Sequence, residues 1–138
     1  MKKIILEVLE DAEFVLYLTK LQFIFIINAL MRVEPVDTSS NSYKLGTRFN
    51  SAYDGVGKGT VCIKYNNASD HIVYNNCEFY LEIDRSEFRY IVDAIEEMYD
   101  KLDKDNDNER IATALRDLRF FIGLAYDRLD EQGTIEVS

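Results

Sequence analysis

The sequence predicts an α+β fold: an antiparallel sheet of four or five strands covered by a long apolar N-terminal helix and a C-terminal helical hairpin. Three observations carry this expectation. A long apolar run fills the N-terminal quarter, segments with every second residue apolar fill the middle, and two stretches with helical spacing fill the last third. With 138 residues, 47% of them hydrophobic, the chain can bury one sizeable core, so residues 1–138 are read as a single domain.

Lys3 to Val8 reads as a short strand, and about Asp11 to Arg32 reads as a helix apolar nearly all round, which needs cover on several sides. Pro35 and the polar run Asp37 to Ser42 end it and form a loop. The segment Phe14 to Met31 is too interrupted by Thr19, Lys20, Gln22 and Asn28 to span a membrane. Tyr43, Leu45, Phe49 and Tyr53, then Val61, Ile63 and Tyr65, then Cys77, Phe79, Leu81 and Ile83 give three half-buried strands of a meander, joined by turns at Asp54–Gly59 and Asn66–Asp70, with His71 to Tyr74 as a further short strand. Ser86 is expected to cap a helix carrying Phe88, Ile91, Val92, Ile95, Met98, Tyr99 and Leu102 on one face. From near Asn108 a last helix follows, with a seam of Ile111, Leu115, Leu118, Ile122, Ala125 and Leu129. The segments Leu6-Glu7-Val8 to Glu13–Leu16 and Leu81-Glu82-Ile83 to Glu87–Tyr90 echo each other as strand-to-helix units.

No catalytic motif stands out, and the chain is read as a protein that is not an enzyme and needs no cofactor. Gly55-Val56-Gly57-Lys58-Gly59-Thr60 has the glycines and lysine of a phosphate loop but runs on into a strand rather than opening a helix. Asp103, Asp105, Asp107 and Glu109 have alternate carboxylates as in a calcium loop, yet Asn108 stands where glycine makes the sharp turn and Ala114 where a bidentate glutamate closes the shell. A solvated acidic connector is the better reading. Cys62, His71 and Cys77 match no zinc spacing, and Cys62 and Cys77 fall on opposite strand faces, which argues against a metal site and against a disulfide. The net charge of −9 repels a bare nucleic-acid backbone and favours a cationic protein partner. With no leader-like apolar core at the start, and two cysteines read as reduced thiols, a cytoplasmic location is expected.

Two surfaces are candidate sites. Glu96, Glu97, Asp100, Asp103, Asp105 and Asp107 form an acidic stretch at the end of one helix and its connector, with exposed Phe120 as an apolar addition. Arg110, Arg116 and Arg119 on the last helix form the alternative, an anion site in which paired arginines share a phosphate. The bland readings are a solvated face for the first and ion pairs with Asp93, Glu96 or Asp117 for the second.

Short length, acidity, richness in Ile, Asn, Asp, Tyr and Phe, and the lack of a catalytic motif together resemble the small anti-defence proteins of bacteriophages. That resemblance implies a place in the host cytoplasm and two mechanisms. An anti-CRISPR-like inhibitor sets its acidic face against a nucleic-acid-binding defence protein, by nucleic-acid mimicry or occlusion of a nuclease. A Thoeris anti-defence sponge instead sequesters a small cyclic nucleotide signal. A structural homo-oligomer, for instance a homodimer through the helical hairpin, is the third class. None of the three binds nucleic acid or membrane directly.

Overall fold

The computed structural model describes residues 4–8, 13–54, 61–63, 79–102, 109–131 and 133–137. Nine elements follow in chain order: β1 (Ile4–Val8), β2 (Glu13–Leu18), α1 (Lys20–Met31), α2 (Asn41–Asp54), β3 (Val61–Ile63), β4 (Phe79–Asp84), α3 (Arg85–Asp100), α4 (Glu109–Asp127) and β5 (Gly133–Val137). The strands lie in the order β3-β4-β2-β1-β5, and each neighbouring pair is antiparallel. Leu6, Leu16 and Leu81 stand side by side across three strands. They belong to one core with the buried faces of all four helices.

The expected arrangement is corrected in its make-up. The long N-terminal helix does not form: its first part is β2, which pairs with β1 as an antiparallel hairpin, and only Lys20–Met31 is helical. The echo of two strand-to-helix units fails with it, since Glu13–Leu16 is strand. The reason is burial on both faces. β2 sits between β1 and β4 and every residue from Phe14 to Leu18 is buried; a run apolar on both faces carries no period that separates strand from helix. The break comes at Thr19, whose hydroxyl accepts the Gln22 N–H while the Gln22 side chain accepts the Thr19 N–H, a capping box that starts α1.

The first strand of the expected meander is likewise overturned, because Asn41–Asp54 is helix α2. The Ser40 hydroxyl accepts the Tyr43 N–H at its start, and Leu45 and Phe49, four apart, are its buried pair. β3 and β4 are short strands within the expected second and third segments. β5, which the sequence reading lacks, adds an edge strand on β1. Of the expected turn Asp54–Gly59, Asp54 is the last residue of α2, and of the calcium-like set Glu109 opens α4; the rest of both, the turn at 66–70, the strand at 71–74 and Cys77 lie outside the described residues.

α1 and α2 cross closely at Gly46. A Cβ placed there would stand 2.4 Å from Met31 Cγ and 2.9 Å from Leu30 Cβ. The Leu30 atom is fixed to the α1 backbone, so relief requires the two helices to move apart. Gly46→Ala is therefore expected to destabilise: overpacking costs roughly 1–3 kcal/mol, and only about 1 kcal/mol returns as helix propensity. Gly123 in α4 has nothing within 4 Å of such a Cβ, so Gly123→Ala should gain up to about 1 kcal/mol. Denaturant midpoints of the two variants check the pair, and a stabilised Gly46→Ala would refute the close crossing.

Candidate functional site

α3 begins at Asp84 rather than at the expected Ser86. The Asp84 carboxylate accepts the Glu87 N–H and the Glu87 side chain accepts the Asp84 N–H. Phe88, Ile91, Val92 and Ile95 face the core, which turns Arg89, Asp93, Glu96, Glu97 and Asp100 to solvent. Arg89 pairs with Asp93 at 3.1 Å, and this carboxylate raises the Arg89 pKa. Glu97 pairs with Lys101 at 2.8 Å, and the same ammonium donates to the Glu34 carbonyl. Glu96 and Asp100 have no ion pair within 4 Å among the described residues. Asp103, Asp105 and Asp107 lie outside the described residues.

The placement of these carboxylates opposes the helix that carries them. The last turn of α3 holds no basic residue, and the carbonyl end of a helix is negative, so each carboxylate there costs about 0.3–1 kcal/mol at low salt. Glu96 and Asp100, four apart, add like-charge repulsion. Among the described residues Lys101, just past the helix, offsets this.

The arginines of the alternative site part company. Arg110 lines a groove against α1. Nine residues on, half a turn round the helix, Arg119 lays its guanidinium over the Tyr99 ring of α3 at 5.1 Å, with its Nε buried and without a hydrogen-bond partner among the described residues. Arg116 points outward and stands 3.6 Å from Asp117. Phe120 is exposed as expected, with 59% of its surface free, and meets Phe121 edge-on at 5.4 Å. Other shifted carboxyls lie elsewhere: Asp37 is lowered by the Ser39 hydroxyl and N–H, and Glu131 by the Arg128 guanidinium.

Sequence reasoning missed the groove. It has a volume of about 470 Å³ and runs between the start of α1 and the first half of α4. One signal for it exists in the sequence, since Ala114, Leu118 and Phe121 form a short stripe at spacings of four and three that shares only Leu118 with the seam.

Among the described residues no group of three His, Cys, Asp or Glu side chains is placed to hold a metal ion, and no helix is long and apolar enough to cross a membrane. No protein-family model, curated protein or solved structure matches the chain.

Proposed function

We propose that this is a non-catalytic binding protein that sets the acidic end of α3 against a partner with a basic surface, of the kind that holds nucleic acid, and so occludes it. The observation that supports this reading is the exposure of Glu96, Glu97 and Asp100 at the helix end that disfavours them. That cost has no compensating contact for Glu96 or Asp100 among the described residues, and a net charge of −9 extends the same field. In the setting the composition resembles, a bacteriophage anti-defence protein, the partner would be a host nuclease. Sequestering a cyclic nucleotide is the weaker proposal, because Arg119 is turned onto Tyr99 and Arg110 into the groove. A homo-oligomer through α4 would have to use exposed residues such as Ile111 and Phe120, since Leu115, Leu118 and Ile122 of the seam are buried within the chain.

The test is displacement of labelled duplex DNA from a basic nuclease domain by the protein, at rising salt. The wild-type protein should compete less well as salt screens the charges. The combined Glu96→Lys, Glu97→Lys and Asp100→Lys variant should associate at least about tenfold more slowly, while stability moves by no more than about 1 kcal/mol, because exposed charges steer encounter more than they hold a fold. Equal competition by wild type and variant would reject the reading.

A further inference from the structure

α4 turns Leu115, Leu118, Phe121, Ile122 and Ala125 inward, which leaves Arg116, Phe120, Gly123 and Asp127 along its opposite side, spaced four, three and four. That is the spacing with which one helix packs along another. Each member carries a cost that the described part of the chain does not meet. Phe120 keeps 59% of its surface free. Gly123 weakens the helix interior in which it stands, and a Cβ there would meet nothing within 4 Å, so close packing inside the chain does not require it. Asp127 sits at the negative carbonyl end of α4, whose last turn holds no basic residue. It has no ion pair within 4 Å among the described residues. Arg116, with 61% of its side chain exposed, stands 3.6 Å from Asp117. Such an exposed pair contributes little, and the guanidinium keeps donors for a second carboxylate.

The four residues match one another. They are placed symmetrically about a point between Phe121 and Ile122, with Phe120 and Gly123 as the inner pair and Arg116 and Asp127 as the outer pair. A second α4 running antiparallel, with a twofold axis through that point, sets each Phe120 ring opposite the bare backbone of the other Gly123. It also sets each Arg116 opposite the other Asp127, so that every contact occurs twice. At the rise of a helix the ring contacts lie about 4.5 Å apart at the centre and the ion pairs about 16 Å apart at the ends, an apolar core with a charged rim. A parallel pair would instead oppose arginine to arginine and ring to ring, which like charges disfavour.

We infer that the chain forms a twofold-symmetric homodimer through the outer side of α4, antiparallel and centred between Phe121 and Ile122. Glycine at 123 then admits the other chain's ring where a side chain would hold the two helices apart, and Asp127 gains the cation that its own helix end lacks. The charge of −9 on each chain opposes association at a distance, but it is screened beyond about 8 Å at physiological ionic strength. The stripe itself carries one charge of each sign, so the contact opposes no like charges along it. The interface is separate from the acidic end of α3, and its presence or absence leaves the reading of that surface unchanged.

Sedimentation velocity of the whole chain at physiological ionic strength tests this. A contact made by one helix from each copy is small, so the dimer should be concentration-dependent and appear between roughly 1 and 500 μM. Phe120→Ala and Gly123→Leu should each raise the dissociation constant about tenfold or more, the first by removing the ring and the second by filling its place. Gly123→Leu should do so while the melting temperature of the dilute protein holds or rises, because leucine is the better helix former. Loss of fold cannot produce that combination. Arg116→Asp and Asp127→Arg should each weaken the dimer on their own, since each opposes like charges at both ends of the contact. An equimolar mixture of these two variants should nevertheless associate within about threefold of the parent, because each acidic position of one chain then faces a basic position of the other. A protein that stays monomeric throughout the range overturns the inference. So does a dimer that Gly123→Leu or the single charge reversals leave intact, or a mixture that recovers nothing, since each places the contact on another surface or in another register.

Discussion

Replacing Phe23 with alanine is expected to lower the unfolding free energy by about 3–5 kcal/mol. Phe23 is fully buried in α1 and joins three elements. Its ring meets Phe49 of α2 edge-on at 6.2 Å and Phe79 of β4 at 5.0 Å. Both geometries are the edge-to-face kind that adds about 0.5–1.5 kcal/mol to simple burial. Phe49 is fully buried and Phe79 nearly so, and each is fixed to its own element, so the cavity left by truncation cannot close by rotating one free side chain. A small domain holds about 5–15 kcal/mol in all, so the variant should retain as little as half of that, or less. Urea unfolding measures it. A loss below about 1 kcal/mol would mean that α1, α2 and β4 do not meet at this ring, which would break the helix layer apart from the sheet.

How far the sequence could be read follows from how many faces each segment buries. α3 buries one: Phe88, Ile91, Val92 and Ile95 face in, Glu96 and Glu97 face out, and the helical period survives in the sequence. β4 likewise alternates Phe79, Leu81 and Ile83 inward with Glu82 outward. β2 buries both faces, so Phe14–Leu18 shows no period at all and merges with the equally apolar α1. Only the Thr19–Gln22 capping box marks the junction, and it reads as two ordinary polar residues unless the helix start is already known. In α2 the pair Leu45 and Phe49 fits a helix, but Tyr43 and Leu45 also fit a strand, and the reason for Gly46 lies in Met31 and Leu30 of another helix. A tertiary contact of that kind leaves no local trace.

The candidate site divides in the same way. Acidic residues on the outer side of α3 follow from the helical period once its buried face is known, and Glu96, Glu97 and Asp100 are exposed accordingly. Arg119 does not follow, because its stacking on Tyr99 depends on how α3 and α4 pack. The groove is less legible still. Its walls come from residues 19–25 and 109–121, more than half the chain apart, and neither segment alone shows that the other leaves a gap beside it.

Within α4, Leu118→Ala and Ile111→Ala should part company although both belong to the same seam. Leu118 is 2% exposed, close to fully buried, and forms part of the groove floor as well as the core. Its truncation should cost about 2–5 kcal/mol, and for a domain of this size that is a fall in melting temperature of roughly 8–20 °C. Ile111, the third residue of α4, keeps 46% of its surface free. It loses little on truncation, within about 0.5 kcal/mol, as a surface position without a special contact. The contrast tests the packing of the whole C-terminal half. α4 lies against α3 and reaches β1 and β5 through its other flank, so Leu118 is enclosed from several sides while Ile111 projects near the open end. Calorimetric melting of the two variants reads the difference directly. If both melt within a degree or two of the parent, the seam faces solvent in the monomer and the hairpin is held some other way. If both fall equally far, Ile111 is covered, and the exposed end of α4 is an interface between copies of the chain rather than a free surface.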